Sequence, residues 1–155
     1  MSTPTRIDPR GPRFGAGITA VLLLIVIGLS LGGLLAPALI LFAAQTLLFA
    51  WGAFVGIARH PYGVLFRRLV RPRLKPPAEL EDPVPPTFAQ GVGFVITAIG
   101  LILTLLGLTP ALPIAAALAF IAAFLNSVFG YCLGCQIYLL LVRARVLRGS
   151  SAVSA

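Results

Sequence analysis

Two long stretches of the chain, Phe14 to Ala58 and Thr87 to Val142, contain no Asp, Glu, Lys, Arg or His. One membrane crossing takes about 20 apolar residues, so each stretch is long enough for two. Proline lacks an amide hydrogen and disfavours helix in the residue before it. Breaks are therefore expected near Ala36-Pro37 and at Thr109-Pro110-Ala111-Leu112-Pro113. The pattern predicts four helices, at roughly 14–35, 38–58, 88–108 and 114–142.

The charges lie outside these spans. All twelve basic residues fall in three segments: Arg6, Arg10 and Arg13; Arg59, Arg67, Arg68, Arg71, Arg73 and Lys75; and Arg143, Arg145 and Arg148. The two predicted turns carry none. Basic loops stay cytoplasmic in membrane proteins, so four spans place both termini and the central loop on the cytoplasmic side. A net charge of +8 would suit a nucleic-acid binder, but these residues abut helix ends, where topology and anionic lipid headgroups account for them. No nucleic-acid partner is expected; membrane lipid is. With 59% hydrophobic and 10% charged residues and a mean hydropathy of +1.02, a soluble or disordered chain is excluded. Ala36-Pro37-Ala38 imitates a signal cleavage site, yet the preceding apolar run of 22 residues exceeds a signal core of about 7–15. An uncleaved first span is expected.

The chain also repeats itself. Asp8-Pro9-x-x-Pro12-x-Phe14-x-x-Gly17 recurs as Asp82-Pro83-x-x-Pro86-x-Phe88-x-x-Gly91, at an offset of 74. Tyr62-x-x-Leu65-x-Arg67-x-x-Val70 recurs as Tyr138-x-x-Leu141-x-Arg143-x-x-Val146, at an offset of 76. Each half holds two spans and enters from the same side, so the repeat is parallel, about an axis along the membrane normal. The expected fold is an all-α membrane protein: four transmembrane helices in two tandem parallel helix-hairpin repeats, both termini cytoplasmic. Its parts are an N-terminal cytoplasmic segment 1–13, a membrane domain 14–148 and a disordered tail 149–155. The repeat halves cover 8–75 and 82–148, with a central cytoplasmic loop at 59–87. The segment 114–142 is long for one crossing. Either it is strongly tilted, or it leaves the hydrocarbon near Leu133-Gly134, the counterparts of Arg59-His60; the repeat favours the second.

Chemistry is concentrated in one place. Cys132 and Cys135, both cysteines of the chain, lie at Cys-x-x-Cys spacing. On a helix, residues three apart share a face, so the sulfurs could meet. A dithiol/disulfide pair, a persulfide carrier with a resolving thiol, and half of a metal site all fit. Zinc needs four ligands and His60 supplies at most one more, so metal ranks last and no cofactor is expected. The alternative is a pair of inert thiols packed as small hydrophobes. Arg59 and His60 should lie at the depth of the cysteines, where a positive charge would stabilise thiolate. No acidic residue lies within a span, no P-loop or dinucleotide fingerprint is present, and the single His has no intramembrane carboxylate partner.

Glu81-Asp82-Pro83-x-Pro85-Pro86-x-Phe88-Ala89-Gln90, followed by Ala123-Phe124-Leu125-Asn126-x-x-Phe129-Gly130-Tyr131-Cys132-Leu133-Gly134-Cys135-x-x-Tyr138, resembles an uncharacterised bacterial membrane family, domain of unknown function 4395. The resemblance covers nearly the whole chain, and the Phe-Gly-aromatic-Cys-Leu-Gly-Cys block is its most specific part. Members commonly carry an acidic residue where this chain has Gln136. The family's association with thioredoxin-like and sulfurtransferase proteins implies thiol or sulfur chemistry and a cytosolic partner of that kind. The expected function is thus thiol redox or sulfur relay by Cys132 and Cys135 at the cytoplasmic face of the bacterial plasma membrane. The rivals are a small transporter or accessory subunit for a sulfur compound and a purely structural membrane protein. A homo-oligomer is compatible with either.

Overall fold

Each uncharged stretch folds as a hairpin of long helices. The structure, a computed structural model, describes residues 6–146; the expected tail at 149–155 lies outside them. Helices α1 (Arg10–Leu31) and α2 (Leu35–Phe54) form the first hairpin, and α4 (Val84–Leu105) and α5 (Ala111–Phe129) the second. All four are long and apolar enough to cross a membrane. A short helix α3 (Pro61–Leu65), continued by a π-helical turn at Phe66–Val70, follows the first hairpin. The amphipathic helix α6 (Leu133–Arg143) follows the second.

The turns differ from expectation in an instructive way. They sit at Gly32–Leu34 and Leu106–Pro110, and Pro37 and Pro113 each occupy the third position of the following helix. First-turn amides have no intrahelical acceptor, so proline starts these helices instead of ending the previous ones. The reversals are made by Gly33 and Gly107, at φ 79° and 101°. The amide of Leu34 donates to Leu29 O and that of Leu108 to Leu103 O, both at 2.9 Å, closing each helix with a left-handed glycine cap. At the other end, Asp8 and Asp82 precede the α1 and α4 entries as the sequence implies. Their Oδ1 atoms accept the amides of Arg10 and Val84.

Packing pairs α1 chiefly with α5 and α2 with α4, while each hairpin also packs within itself. The α3 segment lies on α1, and α6 on α4. Ile7 and Glu81 exchange two backbone hydrogen bonds of 2.9 Å, so α1 and α4 begin at the same end of the bundle. The interior mixes several alanines with a few large groups: Ala38, Ala116 and Ala119 are buried with Leu23, Val26 and Phe42. Large apolar side chains such as Ile40, Leu47, Phe54 and Leu105 point outward. Small residues inside let helix backbones approach without a hydrophobic drive from water. Buried hydroxyls are satisfied locally: Thr46, Thr97 and Thr104 each donate to the carbonyl four residues back, at 2.7–2.9 Å. Gln45, 2% exposed, bridges Thr19 (3.4 Å) and the Tyr62 hydroxyl (3.3 Å) across three helices.

Candidate functional site

The uncharged run 114–142 divides into two helices and does not form one long helix. Helix α5 stops at Phe129 because Gly130 turns left-handed, at φ 67°. Tyr131 and Cys132 then run without helix, and α6 starts at Leu133. The chain departs from the span three residues before Leu133, close to where the repeat put it. The strongly tilted alternative does not occur.

The two cysteines consequently do not share the face of a helix. Cys132 is the N-cap of α6, in extended conformation, and Cys135 sits one turn inside. They are joined as a disulfide with Cα atoms 5.2 Å apart. Sγ of Cys132 accepts the Cys135 amide at 3.2 Å, the role an oxygen plays in an ordinary cap. Unpaired amides and the helix dipole favour negative charge at this position. Gly134 holds α6 against α4: a Cβ there would fall 2.5 Å from both Cα and Cβ of Ala89. The rings of Tyr138 and Phe88, 5.6 Å apart, pin the next turn.

Both cysteines are half-buried and face two spaces. A groove of about 290 Å³ on one side is lined by Pro12, Arg13, Glu81, Asp82, both cysteines and Gln136. A cavity of about 280 Å³ on the other reaches into the bundle and touches Cys132 but not Cys135. The cation beside the pair is Arg13: its guanidinium carbon lies 3.2 Å from where a Cβ on Gly130 would sit. Nothing in the sequence separates Arg13 from the other arginines at helix ends. Its position follows from the packing of α1 on α5.

Arg59 and His60 line neither space. His60, 4% exposed, places Nε2 3.1 Å from Leu48 O, and its Nδ1 accepts the Tyr62 amide at 3.3 Å, capping α3. Burial pushes its pKa below the usual value. With Tyr62, Arg67 and Arg71 it borders a separate cavity of about 310 Å³. Arg59 is exposed and contributes its carbonyl to the Trp51 indole N–H at 3.2 Å. The structure thus brings Cys132 and Cys135 together, and sets Arg59 and His60 in the other half. Among the described residues, no three His, Cys, Asp or Glu side chains gather where they could hold a metal ion.

The model of a family described as a domain of unknown function, DUF4395, matches residues 7–143. Neither the curated proteins nor the solved structures include a match to this chain.

Proposed function

The chain belongs to the DUF4395 family, and from that premise we propose that its Cys132–Cys135 pair cycles between dithiol and disulfide at the inner edge of a bacterial plasma membrane. Its partner in exchange is a soluble thioredoxin-like or sulfurtransferase protein. In that exchange the partner's dithiol is oxidised to a disulfide while Cys132 and Cys135 are reduced, two electrons and two protons moving together, or the reverse. The observation that carries the reading is the placement of the pair: at the N-terminus of α6, with a backbone amide on Sγ of Cys132 and a groove open to the basic end of the bundle. Buried inert thiols would need none of these.

The orientation rests on charge: Arg6, Arg13, Arg67 and Arg143 cluster at the end where α1 and α4 begin, while the turns at Gly32–Leu34 and Leu106–Pro110 carry none, so that end is taken as cytoplasmic. The tandem parallel repeat is supported by element bounds, since Arg10–Leu31 and Val84–Leu105 are offset by 74 at both ends. It is further supported by the Ile7–Glu81 pair, two residues equivalent under that offset that bond reciprocally, as an axis between them requires. Thr87, the counterpart of Arg13, likewise meets the turn after α2, its Oγ1 accepting the Ile57 amide at 3.3 Å.

The test is to trap the cysteine state in native membranes by rapid acid quenching, alkylation and mass spectrometry. Both dithiol and disulfide should be found, and addition of reduced thioredoxin should shift the ratio. Cys132→Ser and Cys135→Ser should each abolish the response. A pair that stays in one state under all reductants, with both variants functionally silent, would mark a structural protein. Restored uptake of a sulfur compound would point to transport.

A further inference from the structure

The disulfide has an inner side as well as an outer one. The cavity behind Cys132 is walled by apolar residues of five helices, among them Phe49, Ala119, Ala122 and Ala123. It extends along α4 to Ile96, 12 residues or roughly 18 Å from the helix start at Val84, well within the span. Leu118 and Ile137 stand at its rim and are 54% and 42% exposed on the outer surface of the bundle, where lipid would lie. Its polar groups are few: the side-chain amides of Gln90 and Asn126 and the Thr19 hydroxyl. Among the described residues, neither of those amides hydrogen-bonds to the protein; Gln90 also borders the His60 cavity and Asn126 the groove.

We propose that this cavity binds the ring of a membrane quinone, which is the two-electron partner of the Cys132–Cys135 pair on the bilayer side. Size, polarity and chemistry converge on that class of ligand. A dry cavity of about 150 Å³ holds a benzene ring, so about 280 Å³ accommodates a substituted one. Apolar walls reject a charged thiol such as glutathione. A lipid acyl chain offers those amides no acceptor, whereas a quinone carbonyl accepts from them. The reaction balances without a further reagent. Two S–H bonds break and the S–S bond forms, and the two electrons and two protons convert the quinone's carbonyls to the hydroxyls of the quinol. Cys132, which borders both spaces, is the sulfur that connects the soluble partner in the groove to the quinone in the cavity. The inference rests on the dithiol/disulfide function proposed above.

The experiment uses the full chain in phospholipid nanodiscs, reduced, freed of reductant and kept anaerobic. Decylubiquinone is the probe, because its fully substituted ring cannot be alkylated by thiols. One quinol should form, by ultraviolet absorbance, for each disulfide counted by alkylation and mass spectrometry. Ala122→Phe, which fills the cavity, should slow quinol formation about tenfold or more while exchange with thioredoxin at the groove stays within about twofold. A photoreactive quinone should label α4 or α5 of the unaltered protein, which keeps the test decisive should the variant misfold. Thioredoxin exchange without quinol formation would overturn the inference and leave the dithiol function standing. Absence of both would remove that function and the quinone with it. Quinol formation that Ala122→Phe leaves unchanged, with labelling elsewhere, would also overturn it.

Discussion

Cys132 sits where α6 begins, and its reactivity should follow from that place alone. The Cys135 amide donates to Sγ of Cys132 at the helix N-terminus and favours a thiolate there, whereas among the described residues no amide donates to Sγ of Cys135. After reduction at neutral pH, Cys132 should be alkylated several-fold faster than Cys135. Rates from time-resolved mass spectrometry decide it; equal rates for both sulfurs would refute the assignment. At the neighbouring turn, Gly130→Ala forces a side chain into left-handed backbone, costing roughly 1–2 kcal/mol. It also pushes on the Arg13 guanidinium. His60 makes a separate prediction about pH. Its pKa lies below the ordinary 6.5 because burial disfavours the charged ring. An undocked α3 segment therefore binds more protons than the docked one between the lowered value and 6.5. Docking should weaken as pH falls through that window and recover as it rises. Hydrogen exchange at α3, corrected for intrinsic rates, should show the loss as pH falls below 6.5. It should be absent in His60→Asn, which keeps a capping acceptor but does not titrate. The cysteine pair was legible in the sequence because its spacing is local. Arg13 was not, because it reaches the pair only through the packing of α1 on α5.

At the scale of elements, charge-free length and proline breaks found all four long apolar helices but placed their ends three or four residues off; the repeat put the exit from the last one near Leu133-Gly134, whereas α5 in fact ends at Phe129. The errors have two causes. Proline was read as a terminator, yet Pro37 and Pro113 occupy first turns, and the real reversals use Gly33, Gly107 and Gly130 in left-handed backbone. Charge was also read as the edge of a span, whereas Arg10 and Arg13 lie within the first turns of α1. The helix most exposed to test is α6, which rests on α4 through Gly134. Gly134→Val would drive a branched side chain into the Ala89 backbone, an overpacking worth about 1–3 kcal/mol. Helix α6 should lift, and after reduction both cysteines should react faster with a bulky maleimide while the four long helices stay in place. Protease accessibility of the 130–143 segment measures the same event. If labelling and cleavage stay unchanged, α6 is not held by this contact.

For the whole molecule, the proposed repeat sets two capped helices in comparable places. In each half, a side chain after the second span caps the helix that follows: His60 accepts the Tyr62 amide, and Cys132 the Cys135 amide. The same local need is met by a buried imidazole in one half and a sulfur in the other. The cavity behind Cys132 was not legible beforehand because residues from five helices form it, and no sequence interval contains them. The orientation is proposed from the distribution of charge, and it makes a prediction on which the site depends. In a protein with both native cysteines replaced by serine, a single cysteine at Leu34 or Thr109 should react with an impermeant maleimide added outside intact cells, because these turns lie at the uncharged end. A single cysteine at Leu74 in the basic loop should react only after the cells are opened. The reverse pattern would place Cys132 and Cys135 on the outer face, where the exchange partner could not be cytosolic. Labelling of both positions from one side would break the four-span count itself.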